Sequence, residues 1–297
     1  MLTNFLTELT KDLRGKWLER LFGPAFLFLF WAGGLLLVVG PQGLAAWWEQ
    51  LLTLPTLAQV GWLLAALLVL NASAAIMERL RLPLLRLLEG YWPWPLRLLE
   101  SPLIALVRRR VRRQRERWSA LMQQRESQSL TPAERMELAR LEQARLDVPP
   151  DLADLRPTAV GNILRAVERR VVHRYGLDPV LLWPRLWLLL PQDARQEIAA
   201  ARESLDRLAE AWGWGLCFLV WAFWQPWAVP IALLWMLLAA WLARSPARTF
   251  AVLVQSAFDL YRWRLYEALH FPVPEEKGDA KRAAGQSLTR YIQRGVP

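Results

Sequence analysis

FGPAFLFLFWAGGLLLVVG, Phe22–Gly40, contains no charged residue. A helix of this length covers about 28 Å at about 1.5 Å per residue, which matches a bilayer hydrocarbon core of about 30 Å. LAQVGWLLAALLVLNASAAIM, Leu57–Met77, is a second run of the same kind. The connection between them, PQGLAAWWEQLLTLPT, holds Trp47, Trp48 and Glu49 but no lysine or arginine. The pair predicts a transmembrane hairpin over residues 22–77.

Charge sets its direction. Lys11, Arg14, Lys16 and Arg20 precede the first run, and eleven arginines follow the second between Arg79 and Arg117. Positive residues stay on the cytoplasmic side of inserted helices, so both flanks are expected inside and the Trp47/Trp48 connection outside. VRRRVRRQRERW, Val107–Trp118, is the densest part of the basic flank, with seven arginines. Nucleic acid and anionic lipid both attract such a run. It lacks the interleaved aromatics or recognisable module of a nucleic-acid reader. Lipid headgroups are therefore the expected contacts of Arg108, Arg109, Arg110, Arg112 and Arg113, and nucleic acid is not an expected partner.

Composition agrees with a membrane protein. Hydrophobic residues make up 54% of the chain and tryptophan occurs 18 times, although 22% of residues are charged. Apolar and charged residues in such proportions must be segregated into blocks, one of which water does not meet. The net charge of +10 is nearly all arginine, since Lys11, Lys16, Lys277 and Lys281 are the only lysines. The single cysteine, Cys217, excludes an internal disulfide framework and a multi-cysteine metal site, and its apolar surroundings predict a packing role. The N-terminal stretch is unlike a secretion signal, because Glu8, Asp12 and Glu19 interrupt its basic part and no small-x-small cleavage site follows.

Working outward, residues 1–21 place Leu2, Phe5, Leu6, Leu9, Leu13 and Trp17 at helical spacing, predicting an amphipathic helix on the membrane surface. Residues 78–107 are leucine-rich but carry Arg81, Arg86, Glu89, Arg97 and Glu100, too many charges for a span. They predict interfacial helices whose charges reach to water, broken into short pieces at Pro83, Pro93, Pro95 and Pro102. Residues 108–148 predict a cytosolic helical hairpin, its second helix opened by Thr131, Pro132 and Glu134 as N-cap, first helical residue and capping-box partner. Residues 149–210 form a membrane-proximal helical unit in which PVLLWPRLWLLLP is too short to span and Asp193 caps a helix running into the next apolar block. That block, Ala211–Ala243, is uncharged, and Gln225, Pro226 and Pro230 mark its turn, predicting a second transmembrane hairpin over 211–244. Residues 245–297 are expected to be cytosolic helices, with PVPEEKGDAKRA as a linker and Gly295 near the end of the last helix.

Chemistry is sparse. No HExxH, GxSxG, P-loop or GxGxxG pattern occurs, His173 and His270 are the only histidines, and the spans offer little polar beyond Asn71 and Ser73. No catalytic residue, metal ligand or cofactor is expected. The one structured polar cluster is Asn162, Arg165, Glu168 and Arg169 with Tyr175, Asp178 and Arg185. Its arginines and tyrosine suit an anion or headgroup, and the same residues would equally serve to pin helices together by ion pairs and caps.

RPTAVGNILRAVE, Arg156–Glu168, followed by RYGLDPVLLWPRLWLLLP, resembles a group of bacterial multi-pass membrane proteins with no known activity. FDLYRWRLYEALHFPVP and SLTRYIQRG are similar to the same group, so the resemblance covers roughly residues 155–297. It implies a bacterial inner-membrane protein whose polar cytosolic segment lies between two membrane hairpins, and it implies no activity.

The resulting expectation is an all-α integral membrane protein with four transmembrane helices in two hairpins, a cytosolic helical domain between them, and both termini cytoplasmic. A non-enzymatic scaffold or sensor follows, binding a protein partner or anionic ligand beside a bilayer with anionic headgroups. An oligomeric channel or transporter component is the alternative, the homo-oligomer lining its pore with Asn71. A membrane-bound enzyme with a site near His173 and Asp178 comes third.

Overall fold

A computed structural model describes residues 2–127, 130–274 and 279–295, with side chains from Phe26 onward and Ser127 excepted. The described residues are all-helical, without a strand. Ten helices follow one another as α1 (Leu2–Thr53), α2 (Thr56–Glu89), α3 (Arg97–Ser127), α4 (Pro132–Leu146), α5 (Ala159–Tyr175), α6 (Pro179–Leu189), α7 (Gln192–Phe218), α8 (Ala228–Leu242), α9 (Arg244–Ala268) and α10 (Asp279–Arg294). Three stretches, Phe26–Thr53, Thr56–Glu89 and Ala228–Ala268, are long and apolar enough to cross a membrane. The apolar run Ala211–Phe223 is built differently, as the end of α7 followed by a 3-10 turn, Leu219–Phe223, and is not among those three.

Several expectations change in detail. The connection holding Trp47 and Trp48 is helical as far as Thr53, and the chain bends instead at Gly40, whose φ of 73° lies in the left-handed region. Glycine tolerates that conformation, and Pro41 restarts a helix without needing its missing N–H. Of the four prolines expected to break residues 78–107, Pro83 and Pro102 lie inside α2 and α3, and only the segment with Pro93 and Pro95 is non-helical. Asp193 sits in the first turn of α7, one residue inside the helix it was expected to cap. The side chains of the expected N-terminal amphipathic helix, residues 1–21, lie outside the described set, as do residues 128–129, where a hairpin turn was expected.

The chain divides into two units, one of residues 1–85 and 206–243, the other of residues 86–205 and 244–297. In the first, Phe30 packs against Trp214, Phe218 and Trp221 with ring centroids 5.2, 6.4 and 5.9 Å away. Gly34 lets the Trp221 ring approach the α1 backbone, where a Cβ would collide with it. The polar groups of α2 are satisfied locally. Asn71 donates to the Leu67 carbonyl at 2.8 Å, and Ser73 donates to Val69 at 2.7 Å while accepting from the Trp31 indole at 3.3 Å. Leu57, Leu68, Leu234 and Leu237 face outward with most of their surface exposed. Apolar side chains so placed are those of helices whose solvent is lipid.

In the second unit α5 packs chiefly on α9, with α6 and α10 completing a core around Tyr175, Leu182, Leu186, Phe258, Leu265 and Leu288. α10 docks through two glycines. A Cβ on Gly285 would strike the Tyr175 carbonyl, and Gly176, which ends α5 with φ 69°, lies against the Arg282 backbone. Thr289 fixes the contact, donating to the Gly285 carbonyl at 2.9 Å and accepting from the Asp178 N–H at 3.2 Å. α3 and α4 pack on each other, with the Thr131–Glu134 capping box at the start of α4, a two-pronged Arg117–Glu137 pair at 2.9 and 2.8 Å, and Arg145 stacked 3.7 Å over Trp118.

Candidate functional site

The second unit contains a cavity of about 320 Å³ beside α5. Its apolar lining is Leu164, Pro179, Val180, Trp183, Phe250 and Val254. Its charged lining is Glu89, Arg156, Arg165, Glu168 and Arg202. The floor forms where α2 ends. Gly90 turns the chain with φ 92°, and the Glu89 carbonyl comes so close to Gly161 that a Cβ there would collide with it. This brings Glu89 and Tyr91 against the start of α5.

Arg156 owes its place to Asn162. The Asn162 side chain is buried, accepts from the Arg156 N–H at 2.8 Å, and donates to the Arg156 and Thr158 carbonyls at 2.9 and 2.7 Å. Thr158 caps α5 at the Gly161 N–H. The loop ahead of α5 is thereby tied to the helix at both backbone groups of Arg156. Its guanidinium lies 4.2 Å over the Tyr91 ring and makes no hydrogen bond or ion pair among the described residues. Stacking on an aromatic face leaves a guanidinium's in-plane N–H donors available.

The remaining cations are committed differently. Arg165 donates to Asp154 at 3.0 Å and to Glu168 at 2.9 Å, and Arg169 donates to the same Asp154 oxygen at 2.5 Å. Burial disfavours the Asp154 carboxylate, yet the hydrogen bonds from Arg169 and Arg165 outweigh it and hold its pKa below the usual value. Arg202 extends over Phe250 at 5.6 Å. Glu89 makes no ion pair among the described residues, with Arg202, Arg86 and Arg156 within electrostatic range.

Of the residues singled out in sequence, Arg165 and Glu168 line the cavity, and Asn162 and Arg169 stand behind it as positioning residues. Tyr175 is a post elsewhere in the unit. Its hydroxyl donates to Asp259, with Arg262 4.4 Å and Lys281 4.9 Å over its ring. Burial first, then the Asp259 hydrogen bond, raises the Tyr175 pKa. Asp178 caps α6, accepting from Val180 and Leu181, and the exposed Arg185 donates to the Leu181 carbonyl at 3.0 Å. Arg109, Arg110, Arg112 and Arg113 are exposed on α3 and make no ion pair among the described residues, while Arg108 is half-buried.

Arg156, Arg202, Glu89 and Tyr91 were not singled out. Arg156 opens the RPT motif and its two-way link to Asn162 is a six-residue pattern, but the Tyr91 stacking joins positions 65 apart and has no local signal.

A wider hollow near α3, α4 and α5 holds Arg115 and Arg170, but both are engaged with carbonyls. Arg115 donates to Pro149 and Pro150, and Arg170 to Leu146 at 2.6 Å and Ala166 at 3.1 Å. Arg115 and Arg170 thus bond helix and loop carbonyls instead of presenting these donors to a ligand. Among the described residues no group of three His, Cys, Asp or Glu could hold a metal ion.

Comparison with family models, with curated proteins and with solved structures finds no match, so no family is assigned and the site rests on its own geometry.

Proposed function

We propose that the chain is a bacterial inner-membrane protein with four spans in two hairpins, cytoplasmic termini, and a cytosolic helical unit that senses an anionic ligand. The uncharged Ala211–Phe223 run and the turn at Gln225 and Pro226 support the fourth crossing. The basic flanks support the orientation. The observation that carries the sensing role is Arg156, whose backbone is held by buried Asn162 and whose guanidinium stacks on Tyr91 in the lining of a cavity and makes no ion pair among the described residues, with Glu89 within electrostatic range. A side chain fixed in place before its partner arrives gives up little entropy on binding. Exposed Arg109, Arg110, Arg112 and Arg113 supply the contacts to anionic headgroups.

Native mass spectrometry of the full chain released from mild detergent tests the reading. A small anionic adduct retained by wild type and lost in Arg156→Gln supports it. A ligand-free symmetric ring that conducts ions when reconstituted would replace it with the channel alternative.

A further inference from the structure

Arg156 identifies a charge, and the apolar lining of the same cavity identifies the rest of the molecule. Three guanidinium-bearing residues line the cavity, but Arg165 is balanced by Asp154 and Glu168. Glu89 faces the remaining pair, Arg156 and Arg202. Counted over the lining alone, Arg156, Arg165 and Arg202 against Glu89 and Glu168, the excess is one positive charge, and it grows as Glu89, pushed up to about 7 by burial, takes up a proton, so a monoanion can balance it and a nucleoside triphosphate would exceed it. A free inorganic anion would use only the polar lining. Leu164, Pro179, Val180, Trp183, Phe250 and Val254 would then stay wet against an empty space. Val180, 69% exposed, stands at the open rim, so an apolar chain can enter the cavity without an opening motion. A volume of about 320 Å³ is at the small end of ligand pockets, enough for a head and a short length of chain.

We infer that the cavity binds a single-chain anionic amphiphile, its monoanionic head on Arg156 and its first methylenes along the Leu164, Val180 and Trp183 wall. The head is a fatty-acid carboxylate or the phosphodiester of a lysophospholipid, which offer the same chemistry to a guanidinium. This deepens the anion-sensing reading and rests on it. Arg156 reads the charge and the apolar wall reads the chain, so affinity depends on both.

The test is isothermal titration calorimetry of the full chain in phosphatidylcholine nanodiscs. The probes are butyrate, hexanoate and octanoate, lysophosphatidylglycerol, lysophosphatidylcholine, and inorganic phosphate. Each methylene buried is worth about fourfold in affinity, so octanoate should bind at least tenfold more tightly than butyrate before the series levels off. Arg156→Gln should weaken octanoate at least tenfold while its thermal midpoint without ligand stays that of wild type. Leu164→Gln should flatten the chain-length series. Carboxylate binding without lysophosphatidylglycerol binding assigns the head to a fatty acid, and the reverse assigns it to a lysolipid. Phosphate binding as tightly as octanoate, with loss in Arg156→Gln, would overturn the amphiphile and leave the anion sensor standing. Equal binding of lysophosphatidylcholine and lysophosphatidylglycerol, indifferent to Arg156→Gln, would also overturn it. No probe binding at all would overturn both readings.

Discussion

Replacing Asn162 by alanine removes the brace under Arg156, and its cost follows from the bonds lost. The amide makes three hydrogen bonds, of 2.8, 2.9 and 2.7 Å, all to backbone groups of residues 156 and 158. At a net contribution of about 1 kcal/mol each, Asn162→Ala should cost about 3 kcal/mol, with a range of about 1.5 to 4.5. Thr158 carbonyl keeps its helical bond from the Asn162 N–H, which holds the cost toward the middle of that range. For a chain of this size about 1 kcal/mol moves the thermal midpoint by about 2–4 °C, so a drop of about 6–12 °C is expected in detergent at a fixed scan rate. Asn162→Asp separates the roles of the two amide atoms. It keeps the oxygen that accepts from Arg156 N–H but turns a second oxygen toward two carbonyls, so at neutral pH it should be at least as destabilising as alanine. Protonating that carboxylate restores one donor, and the Asp variant should recover relative to alanine as pH falls. A midpoint within about 2 °C of wild type for Asn162→Ala, outside the range expected for lost buried hydrogen bonds, would refute the assignment of this residue as the brace.

Two further outcomes are expected. Asp154→Asn should cost about 1–3 kcal/mol, below the value for a fully buried pair because Arg165 and Arg169 keep part of their solvent. Since the folded pKa of Asp154 is depressed, its contribution is fully present above the unfolded carboxyl value of about 4 and is lost as pH falls through the folded value. Urea unfolding across pH should show a wild-type advantage at neutrality that closes in acid, and a gap that widens in acid would contradict the pair. Gly285→Ala replaces a helical glycine and would stabilise an exposed helix by about 1 kcal/mol, but here the Cβ meets the Tyr175 carbonyl. Hydrogen exchange across α10 should rise at least about tenfold, and slower exchange would show that α10 does not dock through this contact.

The uncharged runs Phe22–Gly40, Leu57–Met77 and Ala228–Ala243, the turn at Gln225 and Pro226, and the capping box at Thr131 were legible because each is a local pattern, whereas the extension of those helical stretches to Thr53, Glu89 and Ala268 through charged residues was not. Pro83 and Pro102 misled for the same reason, since local sequence cannot tell that a helix will absorb a proline instead of ending there. The bend at Gly40 needs only a glycine before a proline, but the uncharged and tryptophan-rich residues after it read as well for a loop as for a helix. At the cavity, periodicity along α5 exposed Asn162, Arg165, Glu168 and Arg169. It could not show that Asp154 would occupy two of the arginines, or that Tyr91, at the end of another helix, would lie under Arg156. That Arg156 makes no ion pair among the described residues becomes visible only once Arg165 and Arg169 have found theirs.

The division of the chain carries a consequence for its synthesis. Each unit is assembled from two separate lengths of sequence, so residues 1–85 precede their remaining partners, 206–243, by about 120 residues. At about 5–20 residues per second a ribosome needs about 6–24 s to cross that interval. During it, Phe30 and Gly34 have no Trp214, Phe218 or Trp221 to pack on. The second unit is interrupted more briefly, by residues 206–243, before Phe258 and Leu288 reach its core with α9 and α10. A nascent chain halted before Asp206 therefore carries two half-built interiors at once, and is the form on which insertion factors and chaperones would act.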